Sequence, residues 1–529
     1  MEIPNAPAIK LGDNLLAADL PPSYARWLVL AVFLAGLALR LVGLSAPPYD
    51  SHSFRQTQTL STIEDYYANG IDLLYPKTIY MGYPGTFVLE LPLFQATAAL
   101  LYRVFGPHLE IVRLLNILLG AGATWLVFKI TCRFLGCVTG IVAAMIYWFA
   151  PLNIIYQRSM LIDPAAVLCG LLCFHQLAKL LVPEVKSDAK SPDNTFRDFA
   201  VFAMAALLTA LIKALYLWPA VLLLGQHLLA RRGRVDRKIA QIIAVFALAG
   251  ICFLAWNVHA MRVNDLSPFT RGVKPTSLLG FSALLAPEYY RDLFLHRTKR
   301  WLGAIGILFY VLGVVVLWLQ RKNSSDGKAL FLFFMIPPTY LVCFANINRP
   351  HDYYQLVITP FLAIIAASGV VWLGKLLIPR VAHTKTVERG LLSSAATLFV
   401  MVSAVTLLVV MRHPNLDPGL IQFEKLCAGK FEPRRPAMVL VNRRTANRNP
   451  NSYIPEFIYA AHLWGFGHTV EDDLDARRYF DELAPAFSKL DYVVFYGTPF
   501  PTWIPQKEYR EFLHDDEHRL YVFRSGAAQ

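Results

Sequence analysis

The sequence predicts an α-helical polytopic membrane protein with about 11–13 transmembrane helices and a small C-terminal α/β domain on the outer face. Three observations predict it. Of 529 residues, 56% are hydrophobic and only 16% charged, with a mean hydropathy of +0.43; a soluble chain carries about a quarter charged residues. Apolar runs near the length that crosses a hydrocarbon core, about 20 residues, recur between residues 27 and 411. Beyond residue 411 the composition turns to charged and polar residues with interspersed aromatics.

The run 27–44 is too long for a signal-peptide core and lacks a small-residue cleavage site, so it reads as a retained first span after a cytoplasmic segment 1–26. Less uniform candidates follow at 86–102, which contains Glu90, then 114–128, 137–152 and 160–178. The run 199–230 holds Lys213 as its only charge and is too long for one crossing, which predicts two short helices breaking between Lys213 and Pro219. Clear spans are expected at 239–259, 301–320, 329–346, 356–374 and 391–411. The basic loops Arg231/Arg232/Arg234/Arg237/Lys238, Arg321/Lys322/Lys328 and Arg380/Lys385/Arg389 should be cytoplasmic by the positive-inside bias. The other side then receives a first outer loop at 45–85, the stretch 262–300, the loop 347–354 and everything after 411. Twelve helices would put both termini on one side, whereas the charges ask for opposite sides; either a segment near 114–152 does not cross or one more exists.

The domains expected are thus a transmembrane part over 27–411 and a soluble part over 412–529. In the tail, 437–441, 492–496 and 518–523 read as strands, and 454–464 and 475–487 as amphipathic helices. No repeat of 20–50 residues is visible, and 186–194 is a polar linker. Short loops and the lack of an endoplasmic-reticulum retrieval tail point to a bacterial inner membrane, with a periplasmic tail.

The net charge of +13 would raise nucleic-acid binding in a soluble protein, but clustered in short loops it reads as topology, and no nucleic-acid partner is expected. Six of the 7 cysteines, Cys132, Cys137, Cys169, Cys173, Cys252 and Cys343, sit in apolar runs without metal-site or disulfide spacing. The chain has no P-loop, dinucleotide fingerprint, HExxH or nucleophile elbow, so no nucleotide cofactor is expected.

Ionisable groups in or beside the bilayer are costly and therefore functional candidates. Directly after the first span comes Asp50-Ser51-His52-Ser53-Phe54-Arg55-Gln56, where an Asp could act as general base or metal ligand and the Arg face a phosphate; a solvated loop is the plain alternative. The stretch Tyr80-Met81-Gly82-Tyr83-Pro84-Gly85 suits a tight re-entry turn. Arg158 and Asp163 lie where one apolar run gives way to the next, and Pro164 also makes Asp163 a plausible helix N-cap. Lys213 could meet a lipid phosphate or snorkel to the interface. Asn346-Ile347-Asn348-Arg349-Pro350-His351-Asp352-Tyr353-Tyr354, squeezed between two spans, could cap an active-site mouth or form an interfacial belt. Glu90 with Pro92 completes the set; Arg103 or Arg113 would be its structural partner, and Trp256, Asn257, His259 and Arg262 read as belt residues.

Taken in order, these motifs resemble the polyprenyl-phosphate-dependent glycosyltransferases of the GT-C superfamily, near glycosyltransferase family 39, with protein O-mannosyltransferases and lipid A aminoarabinose transferases as relatives. The resemblance covers roughly residues 27–378. It rests on the Asp-containing first outer loop with Arg55-Gln56, the Tyr80 to Glu90-Leu91-Pro92 re-entry, Gly106 through Arg113-Leu114-Leu115-Asn116, Arg158 to Asp163, Leu208-Thr209-Ala210-Leu211-Ile212-Lys213, and Tyr353-Tyr354 to Pro360.

The resemblance implies a GT-C-like fold in which Asp50 is the catalytic base and Asp163 a second acidic position that holds a divalent ion, Mg or Mn, or orients the acceptor. Lys213, Arg55, Arg158, Arg349, Tyr353 and Tyr354 would face the phosphate of a polyprenyl-phosphate-linked sugar, with His52, Gln56, Glu90 and His351 on the acceptor or loop side. Two departures stand out: many relatives have Asp-Glu where this chain has Asp50-Ser51, which weakens the metal expectation, and Ala214 replaces a Gly after the Lys. A single displacement at the anomeric carbon would invert configuration. The competing expectations are a lipid-linked oligosaccharide ligase or polymerase, which would depend on Arg and His more than on Asp, a lipid-linked sugar transporter, and an inactive transferase frame.

Overall fold

The computed structural model describes residues 22–82, 85–181, 192–272, 281–320, 325–381, 401, 418–446, 454–487 and 490–526. The expected last span at 391–411, most of the linker 186–194, the pair Tyr83-Pro84 and the basic groups Arg321, Lys322, Lys385 and Arg389 fall essentially outside the described residues.

Helix α1 spans Pro22–Leu41. The first outer loop then contains a helix the sequence hides, α2 at Ser53–Asn69. Its buried positions include Gln56, Thr57, Gln58, Thr59, Ser61 and Thr62 beside Leu60, Ile63 and Tyr66, so polar residues outnumber the apolar stripe that would mark it. Helix α3 runs over Leu93–Phe105, later than the expected start at 86, because Pro92 occupies its N-cap and the preceding residues run non-helically, with Leu91 N donating to Leu211 O at 3.1 Å. Glu90 therefore sits in that non-helical approach and not inside a span.

Helix α4 (Leu109–Leu135) is long and apolar enough to cross a membrane. The expected single span 137–152 is a pair, α5 (Cys137–Phe149) and α6 (Pro151–Gln157), bent by 62° where Pro151 cannot continue the hydrogen-bond ladder. Helix α7 is Asp163–Leu181. The long run divides as expected: α8 (Pro192–Lys213), a 3-10 turn Ala214–Leu217, then α9 (Trp218–Ala230), with Lys213 in extended geometry, φ −160° and ψ 100°. Helix α10 (Arg237–Asn264) is capped by Asp236, whose side chain accepts from Ile239 N. Short α11 (Pro287–Arg291) leads through a π-turn into α12 (Thr298–Gln320); α13 is Ser325–Cys343 and α14 Ala345–Asn348. After the 3-10 segment Asp352–Val357 comes α15 (Thr359–Val381), buried from Phe361 to Ala367 and central to the bundle. Five described helices meet the length and apolarity of a membrane crossing, or up to 7 if each bent pair is one span; shorter apolar helices such as Leu93–Phe105 and Phe331–Cys343 accompany them.

The tail builds a five-stranded sheet in the order β2-β1-β3-β5-β4 from β1 (Pro436–Asn442), β2 (Trp464–Val470), β3 (Tyr492–Tyr496), β4 (Tyr509–Asp515) and β5 (Leu520–Ser525). β1 pairs in parallel with β2 and β3, and β5 runs antiparallel to β3 and β4. The expected helix 454–464 is shorter, Pro455–Ala460, and runs into β2; the second tail helix is Asp473–Leu483. β2 escaped sequence reading because it is buried on both faces yet carries Gly465, Gly467 and His468, and β4 because Arg510 and Glu511 give it the polarity of an exposed edge.

The sheet is not a separate bead. Gly82 N donates to Gly465 O at 2.7 Å and Gly465 N to Ile79 O at 2.6 Å, with a bridge between Met81 and Phe466, so the first outer loop lies along the β2 edge. Tyr49, Ile79, Tyr80, Met81 and Phe87 share one apolar cluster with β1, β3 and the tail helices; burying a large apolar side chain contributes roughly 1.5–3 kcal/mol. Polar clasps close the seam: Tyr49 OH to Glu424 at 3.0 Å, Ser53 Oγ to Glu456 at 2.9 Å, Tyr459 OH to Glu64 at 2.7 Å and Arg434 Nη2 to Glu64 O at 2.8 Å.

Candidate active site

A cavity of about 370 Å³ opens at the sheet-facing end of the helical bundle. Its lining combines polar side chains, His52, Arg55, Glu90, Lys213, His351, Tyr353 and Tyr354, with apolar ones that include Phe87, Leu89, Leu211, Phe253 and Trp256. An amphiphile with an anionic head and a hydrocarbon tail matches such a lining. A roomier groove of about 560 Å³ between α1, α4 and α5 is lined almost wholly by aliphatic and aromatic residues and brings no titratable group together.

Lys213 reaches the cavity because α8 stops at it. Its ammonium donates to both oxygens of Asp163 at 2.8 and 2.9 Å, lies 4.9 Å from the Tyr353 ring and 4.5 Å from the Tyr354 ring, and is itself buried. Tyr216 OH donates to Asp163 at 2.8 Å, so the carboxylate is fully engaged inside the protein. Asp163 begins α7, but its side chain turns to Lys213.

Arg55, on the first turns of α2, grips Glu90 with Nη2 at 2.5 Å from each carboxylate oxygen, and its Nη1 donates to Gln58 at 2.6 Å. Glu90 thus has an Arg partner, though neither of the two considered from sequence. Trp256, read as a belt residue, instead donates through Nε1 to Leu89 O at 2.8 Å and walls the cavity together with Asn257.

Asp50 lies in a turn closed by Ser53 N to Asp50 O at 3.0 Å. Gln56 donates to its carboxylate and to Ser51 O, and accepts from Met160 N at 3.1 Å, linking the first loop to the Arg158–Asp163 connection. The charges of Arg113 and Arg158 act on Asp50, and Arg113 anchors the loop backbone through the carbonyls of Leu44, Ala46 and Pro47. Asp50 and Arg158 adjoin the cavity wall without lining it.

In the same turn as Asp50, His52 Nε2 lies 2.9 Å from Asp352 Oδ1, Tyr156 OH donates to the same oxygen, and Arg300 Nη1 donates to Oδ2 at 2.7 Å. Burial opposes ionisation of Asp352, yet His52, Arg300 and Tyr156 together hold its carboxyl well below the usual range. His351 is pushed down to about 3 by burial and by the charges of His52, Lys213 and Arg55, so it is neutral near pH 7.

The structure therefore gathers Arg55, Glu90, Lys213, Tyr353, Tyr354, His52 and His351 around one cavity, with Asp163 behind Lys213 and Asp50, Gln56 and Arg158 beside it. Arg349 is not brought in: its side chain is exposed, and its carbonyl accepts from Arg297 at 2.5 Å. Tyr156, Arg300 and Tyr216 were missed as site members, and Asp352 was noticed only as part of the 346–354 cluster; aromatics are common in spans, and a loop Asp or Arg does not reveal its partner. A divalent ion shared by Asp50 and Asp163 does not fit these donors, because an ammonium and a phenol already occupy Asp163 and an amide and two guanidinium groups compensate Asp50. Among the described residues no group of three or more His, Cys, Asp or Glu is placed to hold a metal.

An apolar helical bundle holding a buried charged cluster at one end, under a sheet that closes over its first loop, is the architecture of the GT-C fold, and this chain is a polytopic membrane protein of that fold. It matches ArnT from Cupriavidus metallidurans with a TM-score of 0.63 at 13% identity, over 95% of this chain and 98% of that one; the same protein bound to undecaprenyl phosphate matches equally. The oligosaccharyltransferase of Archaeoglobus fulgidus, in complex with Zn and sulfate, matches with a TM-score of 0.56 at 12% identity, over 89% of this chain and 68% of that one. A further structure of that archaeal protein, AglB, holds an inhibitory peptide and a dolichol-phosphate. No family model and no curated protein sequence matches the chain.

Proposed function

We propose that the protein is a membrane glycosyltransferase that moves a hexosyl or pentosyl unit from a polyprenyl-phosphate donor to an acceptor on the outer side of a bacterial inner membrane. The observation that carries this reading is a single cavity whose lining joins Lys213 and Arg55 to the apolar Leu211, Phe253 and Trp256. In this reading the prenyl chain packs on those apolar side chains, and the phosphate is held by the cationic side chains beside the Tyr353 and Tyr354 rings. Support also comes from the shared fold with ArnT, which binds undecaprenyl phosphate, and with AglB, which binds dolichol-phosphate.

In this reading the acceptor oxygen attacks the anomeric carbon from the face opposite the phosphate, in one inverting displacement. Asp50 takes the acceptor proton, its carboxylate aimed by Gln56. Lys213 and Arg55 stabilise the charge that grows on the departing phosphate. The donor's phosphoester is already activated, so no nucleotide takes part.

The test incubates purified protein in nanodiscs with a panel of polyprenyl-phosphate sugars and measures release of polyprenyl phosphate. Wild type is expected to release it from at least one donor, and Asp50→Asn to lower kcat by about 10²–10⁴-fold with donor binding retained. Undiminished turnover in Asp50→Asn would remove Asp50 as base and favour the ligase mechanism.

A further inference from the structure

His52 stands at the N-cap of α2 in the left-handed region, φ 56° and ψ 45°, without making a side-chain capping bond. A conformation that is uncommon outside glycine persists where surrounding contacts over-determine it, and such residues cluster at functional sites. Here the contacts are on the ring. Nε2 is fixed against the buried Asp352, which is fixed in turn by Tyr156 and Arg300, and the ring lies edge-on to Tyr353 at 4.8 Å and to His351 at 5.7 Å. Since a carboxylate only accepts, Nε2 is the donor in this contact, and Nδ1 is left for the cavity that His52 lines.

The charged and titratable groups around the imidazole are Asp352, His351 and Tyr353 from the 351–357 segment, Tyr156 from α6, and Arg55 from its own helix. Arg300 of α12 stands behind the carboxylate, and Lys213 of α8 also lines the cavity. Of the two histidines, His351 is neutral near pH 7. Only His52 has a carboxylate opposite it to compensate an imidazolium.

We propose that His52 is the general acid of the transfer, with Asp352 as its positioning residue, a role that rests on the glycosyltransferase reading. As the acceptor oxygen bonds to the anomeric carbon, the bond from that carbon to the phosphate oxygen breaks. The acceptor proton goes to Asp50, and the Nδ1 proton of His52 goes to an oxygen of the departing phosphate. The products are the glycoside and a polyprenyl hydrogen phosphate; Asp50 then loses a proton to water and His52 regains one, so protons balance and no electrons are exchanged. The dianion of a phosphate monoester takes up one proton near pH 6, close enough to neutrality for an imidazolium to serve as donor. Asp50 and His52 thereby serve opposite ends of one displacement from the same turn of chain.

The experiment measures kcat against pH for full-length protein in nanodiscs, in wild type, His52→Gln and Asp352→Asn, with binding of polyprenyl phosphate as the check on fold. Wild-type kcat is expected to fall on the alkaline side, and His52→Gln to lower kcat about 10²-fold and lose that alkaline limb while KM is retained. Asp352→Asn should lower kcat with KM retained. Donor analogues whose phosphate carries electron-withdrawing substituents leave without help, so the His52→Gln defect should shrink with them. A defect equal for all leaving groups would mark His52 as a loop pin and overturn the acid role, as would an unchanged alkaline limb. Wild type that releases nothing from any donor overturns the glycosyltransferase reading itself; wild-type turnover matched by His52→Gln overturns the role of His52 alone.

Discussion

Lys213 and Asp163 form an ion pair with side chains 3% and 0% exposed. Such a pair gains little net stability over apolar residues of similar size, but removing one partner strands the other and costs about 3–5 kcal/mol. Lys213→Met is therefore expected to lower thermal stability strongly in detergent, and Lys213→Met with Asp163→Asn to recover most of the loss. Equal destabilisation by the single and double changes would mean that the ammonium stabilises through the Tyr353 and Tyr354 rings instead. Lys213 was legible because one charge in a long apolar run is rare. The partnership of Asp352 was not, since His52, Tyr156 and Arg300 come from three distant segments, and Arg349, equally conspicuous in sequence, is exposed and does not line the cavity.

Among the elements, β2 depends most on one residue type. Gly465 has φ +156°, and a Cβ there would meet Ala437 O at 1.9 Å, while its backbone N–H and C=O are both used by the first outer loop. Gly465→Ala is expected to cost at least ~2 kcal/mol and to open the 79–82 seam, read as faster proteolysis of that loop; an unchanged digestion pattern would disprove the coupling. Sequence reading found the elements that are unbroken apolar runs, such as α10, β1 and β3. It missed α2, whose buried positions mix Gln, Thr and Ser with Leu60, Ile63 and Tyr66, and it extended α3 backwards through Glu90, where Pro92 sets the start. The break after Lys213 was legible because the run exceeds one crossing.

At the scale of the molecule, the helical bundle and the sheet are joined through the first loop, and Glu64 is where that junction titrates. Burial raises its carboxyl pKa, outweighing the Tyr459 hydrogen bond and the charges of Arg434 and His462. A carboxyl raised in the folded state binds its proton more tightly there than when unfolded. Its contribution to stability is present in acid and is lost as pH climbs from the ordinary carboxylate range through the raised value. Glu64→Gln, which still accepts from Tyr459, is expected to raise Tm at neutral pH and to flatten the pH dependence of Tm over that window. A lower neutral-pH Tm would show the carboxylate to be worth more charged than its burial costs. The joint itself was invisible in the sequence, because it pairs residues 79–82 with a strand near the far end of the chain.

That pairing also fixes an order of events during synthesis. The loop bearing Asp50, His52 and Arg55 is translated early, yet the edge against which it settles, β2, emerges only after every described membrane helix has been made. A nascent chain with its full set of apolar helices still lacks the surface that shapes its first loop. A product cut short before residue 464 lacks the strand edge with which residues 79–82 pair, and its first loop is without that support.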